Sequence, residues 1–161
     1  MLPSVALALA LITSAARVAS PCELLDRAAV SALVGPPVTD GTPSGPGPDE
    51  DSGGILSYCT YRGGAATLIV SQVTFASATA ARKATTKELV AGRLEDEVTT
   101  LTEESGVGDK AFWACTGAAA EYVVLKGSSV LGLALGGRLP KPPVSYHVGL
   151  RAAAASASAK L

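Results

Sequence analysis

Apolar and polar positions alternate most clearly between Gly106 and Leu135. Two apolar runs, residues 121–125 and 130–135, flank Lys126-Gly127-Ser128-Ser129. A Gly-Ser pair between such runs predicts a two-residue hairpin. Gly127 takes the first central position of a type II′ turn, where positive φ disfavours a Cβ. In the last run Leu131, Leu133 and Leu135 alternate with Val130, Gly132 and Ala134. Period two sends the leucines to one face and the small residues to the other. The leucine face is expected to meet helices; the Gly132/Ala134 face either accepts a close neighbour or stays half open. Residues 111–115, with the only tryptophan, predict the preceding strand, and Gly106-Val107-Gly108-Asp109 reads as a turn.

The earlier chain follows similar rules. Pro21-Cys22-Glu23-Leu24-Leu25 opens a helix predicted over 21–34, with a loose stripe through Leu24, Leu25, Ala28, Val30 and Leu33. Gly35-Pro36-Pro37 stops it. Residues 39–54 (TDGTPSGPGPDEDSGG) have nothing to bury and read as a flexible Pro/Gly/acidic loop. Strands are predicted over 55–62 and 65–74, around Gly63-Gly64. In the second of them Leu68, Val70 and Gln72 alternate with Ile69, Ser71 and Val73, so one face is covered and the other only partly.

Ser77 can cap a helix over 78–90 whose stripe is mostly alanine, which brings it close to the sheet. Val98-Thr99-Thr100-Leu101 predicts a short strand inside the acidic stretch 95–104. Pro140, Pro142 and Pro143 punctuate the chain, and Ser145 precedes an alanine-rich helix reaching about Lys160. No internal repeat is evident. The class that follows is α+β: an antiparallel sheet with a C-terminal three-stranded meander, flanked by helices.

The 161 residues bound the chain to one domain, residues 21–161. Although 48% of it is hydrophobic, only 4% is aromatic and much of the rest is alanine, so the core is modest and built from Leu, Val and a few rings. Lys and Arg number 13 against 14 Asp and Glu, a net charge of −1 with no basic block. That excludes a nucleic-acid footprint and a polybasic attraction to anionic lipid. Residues 1–20 read as a signal peptide: an apolar run too short for a transmembrane span, then Ser14-Ala15-Ala16 and Val18-Ala19-Ser20, either of which suits small-x-small cleavage. No Lys or Arg precedes Arg17, so the signal is atypical or the true start lies upstream. A buried N-terminal helix is the alternative. The expectation is export, to the envelope, periplasm or medium, with no span left after processing.

The cysteines are Cys22, Cys59 and Cys115. An oxidising compartment would pair two of them. Cys22–Cys59 is preferred because it ties the first helix to the first strand, leaving Cys115 buried in the meander or exposed and able to dimerise. There is no C-x-x-C and the only histidine is His147, so zinc-site spacing is absent. Neither cofactor nor metal is expected. Ser20-Pro21-Cys22 hints at lipidation, but Pro21 stands where a lipobox needs a small residue, so a lipid anchor is disfavoured.

Candidate catalytic groups are sparse. His147 with a serine and an acid, or with Cys115, would supply a nucleophile and base, yet no G-x-S-x-G elbow exists. Asp49-Glu50-Asp51-Ser52-Gly53-Gly54 imitates a calcium loop, but Gly53 occupies a ligand place and Thr60 the closing one. Gly106-Val107-Gly108-Asp109 lacks the third glycine and strand-turn-helix setting of a dinucleotide fingerprint. Glu95, Asp96, Glu97, Glu103 and Glu104 could furnish a carboxylate pair, but a charge run of this kind reads as a solvated face.

Four short stretches carry a resemblance: Pro21-Cys22-Glu23-Leu24-Leu25, Tyr58-Cys59-Thr60-Tyr61, Gly106-Val107-Gly108-Asp109-Lys110-Ala111 and Leu125-Lys126-Gly127. Together they resemble the DUF3558 type of bacterial exported proteins, many of them lipoproteins. The resemblance implies that Cys22 and Cys59 pair, and that an antiparallel sheet is flanked by helices, similar to the Mog1/PsbP sandwich. It brings no assigned activity. The chain departs from it in having no lipobox and in carrying Cys115. The function expected is a non-catalytic binding or structural module of the bacterial envelope, for an unknown protein or small ligand. The alternative is a hydrolase or thiol enzyme using Cys115 or His147. N-terminal sequencing of the exported protein should find a mature start between Arg17 and Cys22; an intact Met1 in a cytoplasmic fraction would contradict export.

Overall fold

The computed structural model describes residues 19–92, 94 and 97–161. Most of the expected signal peptide, residues 1–18, therefore lies outside the described residues, as do Glu95 and Asp96 of the acidic stretch. In chain order the strands are β1 (Thr42–Pro48), β2 (Ile55–Gly63), β3 (Ala66–Thr74), β4 (Thr100–Glu104), β5 (Lys110–Cys115), β6 (Ala120–Lys126) and β7 (Ser129–Gly137). The helices are α1 (Pro21–Leu24), α2 (Arg27–Val34), α3 (Ala78–Lys83), α4 (Lys87–Ala91) and α5 (His147–Ser158), the last preceded by a 3-10 turn at Pro143–Tyr146. The seven strands form one antiparallel sheet in the order β1-β2-β3-β7-β6-β5-β4. Two meanders, β1–β3 and β4–β7, are thus joined edge to edge where β3 pairs with β7. The α+β class and the flanking helices agree with the sequence reading.

Alternation assigns the two faces. On one, Leu68, Val70, Trp113, Tyr122, Leu133 and Leu135 are buried beneath α1, α2 and α5. On the other, Phe112, Val123, Leu125 and Val130 meet Ala81 of α3 and Val90 of α4. The leucine face does meet helices. Gly127 has φ +58 as the first residue of the two between the paired Lys126 and Ser129, and among the described residues no non-glycine takes positive φ. This is the geometry of the type II′ hairpin.

Four expectations change. The loop expected over 39–54 contains β1, which pairs with β2 through a bulge between Ser44 and Gly47. Proline is tolerated there because an edge strand needs ladder donors on one side only. The helix expected over 21–34 is broken at Leu25-Asp26, since Asp26 caps α2 by accepting the Ala29 N–H at 2.7 Å. The helix expected over 78–90 is likewise two: Ser77 caps α3 and Thr86 caps α4, each accepting an N–H three residues on. Finally, the short strand expected at 98–101 runs from Thr100 to Glu104, because the tight turn before β5 keeps Glu104 paired with Ala111.

Cys22 and Cys59 form a disulfide, and Cys115 is a buried free thiol. The bond pins α1 to β2 across a sequence separation of 37. Beside it the Tyr61 hydroxyl donates to the Cys22 carbonyl at 2.9 Å. Closing a loop of this length stabilises by about 4 kcal/mol if the effect is reduced entropy of the unfolded chain. Replacing Cys22 and Cys59 together with Ser should lower unfolding stability by about 2–5 kcal/mol in denaturant titration. An unchanged midpoint would show that α1 is held by packing alone.

Candidate functional site: a groove on the small-residue face

The helices on the second face are six and five residues long. They cover the β4–β7 side and leave the β2–β3 side of that face open. The result is an open groove of about 1190 Å³. Leu56 and Tyr58 of β2 and Ile69, Ser71 and Val73 of β3 form its floor. Ala80 and Lys83 of α3 and Ala84 just after it, with Glu88 and Leu89 of α4, make one wall; Asp49, Asp51 and Ser52, between β1 and β2, make the other. Two large apolar side chains, Ile69 at 38% and Leu89 at 49%, stay exposed in it. A smaller polar depression of about 550 Å³, lined by Thr39, Ser44, Thr60 and Arg62, adjoins it at Tyr58.

Gly132 and Ala134 lie on the same side of the sheet as the floor, opposite Ser71 and Ile69. Gly132 is buried, and a Cβ there would come within 2.6 Å of Ser71 Oγ, so only glycine allows this approach. Ala134 is half-buried beside Ile69 and Glu121. The small-residue face is therefore close-packed at one position and half open at the next.

The opposite face carries a polar cluster that the sequence did not announce. Glu104, read as part of a solvated acidic run, has a side chain only 11% exposed. Its Oε1 lies 2.5 Å from His147 Nε2, and its Oε2 accepts from the Tyr122 hydroxyl at 2.7 Å and from the Arg151 guanidinium. Trp113 lies against the imidazole, ring centroids 4.9 Å apart. Register puts Glu104 on one sheet face with Tyr122 and Trp113; the spacing of His147 and Arg151, one helical turn apart, was the part the sequence carried. Burial pushes the Glu104 carboxyl up, but the hydrogen bonds from Tyr122 and Arg151 and the charge and hydrogen bond of His147 outweigh it and hold the group below its ordinary value. Burial and the neighbouring carboxylate both push the Tyr122 hydroxyl up.

The other predicted residues separate. Cys115 is buried with the Thr99 hydroxyl 3.7 Å from its sulfur, and no hydrogen bond joins it to His147. Glu103 pairs with Lys110 at 3.1 Å on the surface, and Glu97 is exposed. Gly106 and Gly108 take positive φ between β4 and β5. Asp109 Oδ2 accepts the Gly127 N–H at 2.7 Å, so the two turns are tied together. Residues 49–54 close the β1–β2 turn, with Ser52 donating to the Asp49 carboxylate, and no metal-holding group of His, Cys, Asp or Glu occurs among the described residues. No protein-family model matches the chain, and no curated protein matches it.

Because the folded-state pKa of Glu104 is depressed, its contribution to stability is complete above the ordinary carboxylate range and is lost as pH falls through the lower folded value. Glu104→Gln should therefore lower the thermal midpoint at neutral pH, with the gap to the parent narrowing below the ordinary carboxylate range. A gap independent of pH would mean that the charge contributes nothing.

Proposed function

We propose that this chain is an exported, non-catalytic binding module of the bacterial envelope that takes its ligand in the groove on the small-residue face. The observation that carries the reading is the exposed apolar floor around Ile69, a concavity flanked by polar groups and built on rigid strands. The intrachain disulfide fits an oxidising compartment. It also occupies the sulfur that a lipid anchor on Cys22 would need. The resemblance to DUF3558-type exported proteins points to the same address and leaves the ligand open.

The second reading is a hydrolase acting through His147, favoured by the carboxylate 2.5 Å from its ring. Against it, Tyr122 and Arg151 hold the same carboxylate, and among the described residues no serine or cysteine hydrogen-bonds to the imidazole. The cluster serves better as the anchor of α5.

Protein purified from its native compartment and measured by non-denaturing mass spectrometry should carry a bound ligand that the Ile69→Lys variant does not retain. Its unfolding free energy should change by no more than about 0.5 kcal/mol, the usual range for an exposed position. Retention by the variant would move the site elsewhere. Hydrolysis of an ester or amide, abolished by His147→Asn, would replace binding with catalysis.

A further inference from the structure

We infer that the groove receives a single-chain amphiphile with a cationic head group; the inference rests on the groove being the binding site. Its floor is the face of a sheet whose backbone donors and acceptors are used in the β2–β3 and β3–β7 ladders. A peptide laid across it would bury amides with few partners, since Tyr58, Ser71 and Ser52 are the neutral polar side chains lining the groove. An alkyl chain has no such groups to satisfy and fits a floor of Leu56, Ile69 and Val73 walled by Ala80, Ala84 and Leu89.

The rim sets the sign of the head. Among the described lining residues, Asp49 and Asp51 stand on one wall and Glu88 on the other, against the ammonium of Lys83. Asp51 and Glu88 are exposed, and neither is in an ion pair among the described residues, though Lys87 and Lys110 act on Glu88 from farther away. Glu121, at the buried end, is already engaged and is left out of this balance. Carboxylates on both sides of an apolar trough favour a cation at its mouth and oppose an anion, more strongly where low-dielectric walls exclude water. Tyr58, at the junction with the neighbouring depression, offers a ring face of the kind that holds a quaternary ammonium.

The test titrates the full chain with dodecyltrimethylammonium, dodecyl maltoside and dodecanoate, each below its micelle concentration, by calorimetry, with circular dichroism to show that the fold persists. The cationic chain should bind at least about ten-fold more tightly than the neutral one. Asp51→Asn with Glu88→Gln should erase most of that margin, raised salt should shrink it, and Ile69→Lys should abolish binding of both. If the neutral chain binds equally well, or dodecanoate binds best, and Ile69→Lys still removes it, the groove stands and the cationic head is wrong. If no chain binds, or binding survives Ile69→Lys, the groove reading itself falls.

Discussion

Nine consecutive residue pairs between β3 and β7 hold two otherwise separate meanders in a single sheet. Everything else takes its place from that register. Leu68 opposite Leu135 and Val70 opposite Leu133 fill one face; Ile69 opposite Ala134 and Ser71 opposite Gly132 fall on the other. A slip of one residue would send all of the leucines to the wrong side. The pairing is tight because Gly132 has no side chain to collide with Ser71, whose hydroxyl reaches the Gly132 carbonyl at 3.4 Å. Gly132 thus lies at the seam between the two halves and on the groove's side of the sheet.

The two faces are finished unequally. The leucine face is closed by three helices, and α5 is fastened at both ends: His147 and Arg151 to Glu104, Lys126 Nζ to the Ser158 carbonyl at 2.7 Å. Lys160 in turn reaches the carbonyls of Glu23 and Leu24 at 3.0 and 2.9 Å, joining the last helix to the first. An ammonium at a helix C-terminus satisfies carbonyls that have no partner within the helix. Among the described residues the other face has only α3 and α4, six and five residues long, with the Thr86 cap beginning the second soon after the first ends. The groove is what these short helices fail to cover.

Strands with a clean period of two were legible in the sequence, and so was the Gly127 turn, because both follow from local stereochemistry. What escaped depended on partners far along the chain. Residues 42–48 carry no strand signal, and only the free edge of β2 turns them into one. Asp26 and Thr86 could each have been read as caps, yet the apolar stripe running past them suggested unbroken helices. Glu104 looked like its neighbours in an acidic run. Its burial follows from sharing a face with Tyr122 and Trp113 and lying under α5, which no window of sequence around it contains. The groove was half visible: the small residues at 132 and 134 announced an unusual face, but its walls come from segments some fifty and some eighty residues before them.

The four short stretches behind the family resemblance now have physical roles, and these are tethers. Cys22 and Cys59 are bonded, and Tyr61 hydrogen-bonds beside them. The turn before β5 is tied to the β6–β7 turn by Asp109 and Gly127, while Lys126 holds the end of α5. Apart from Tyr58, none of these motif residues lines the groove. A resemblance built on tethers carries architecture from one protein to another and says little about what is bound, since substitutions at Ile69, Ser71, Lys83 or Glu88 would leave every tether in place. On the proposed reading, the identity of the ligand is written in residues that fold stability constrains weakly. Discriminating experiments belong there, rather than at the cysteines or the glycine turns.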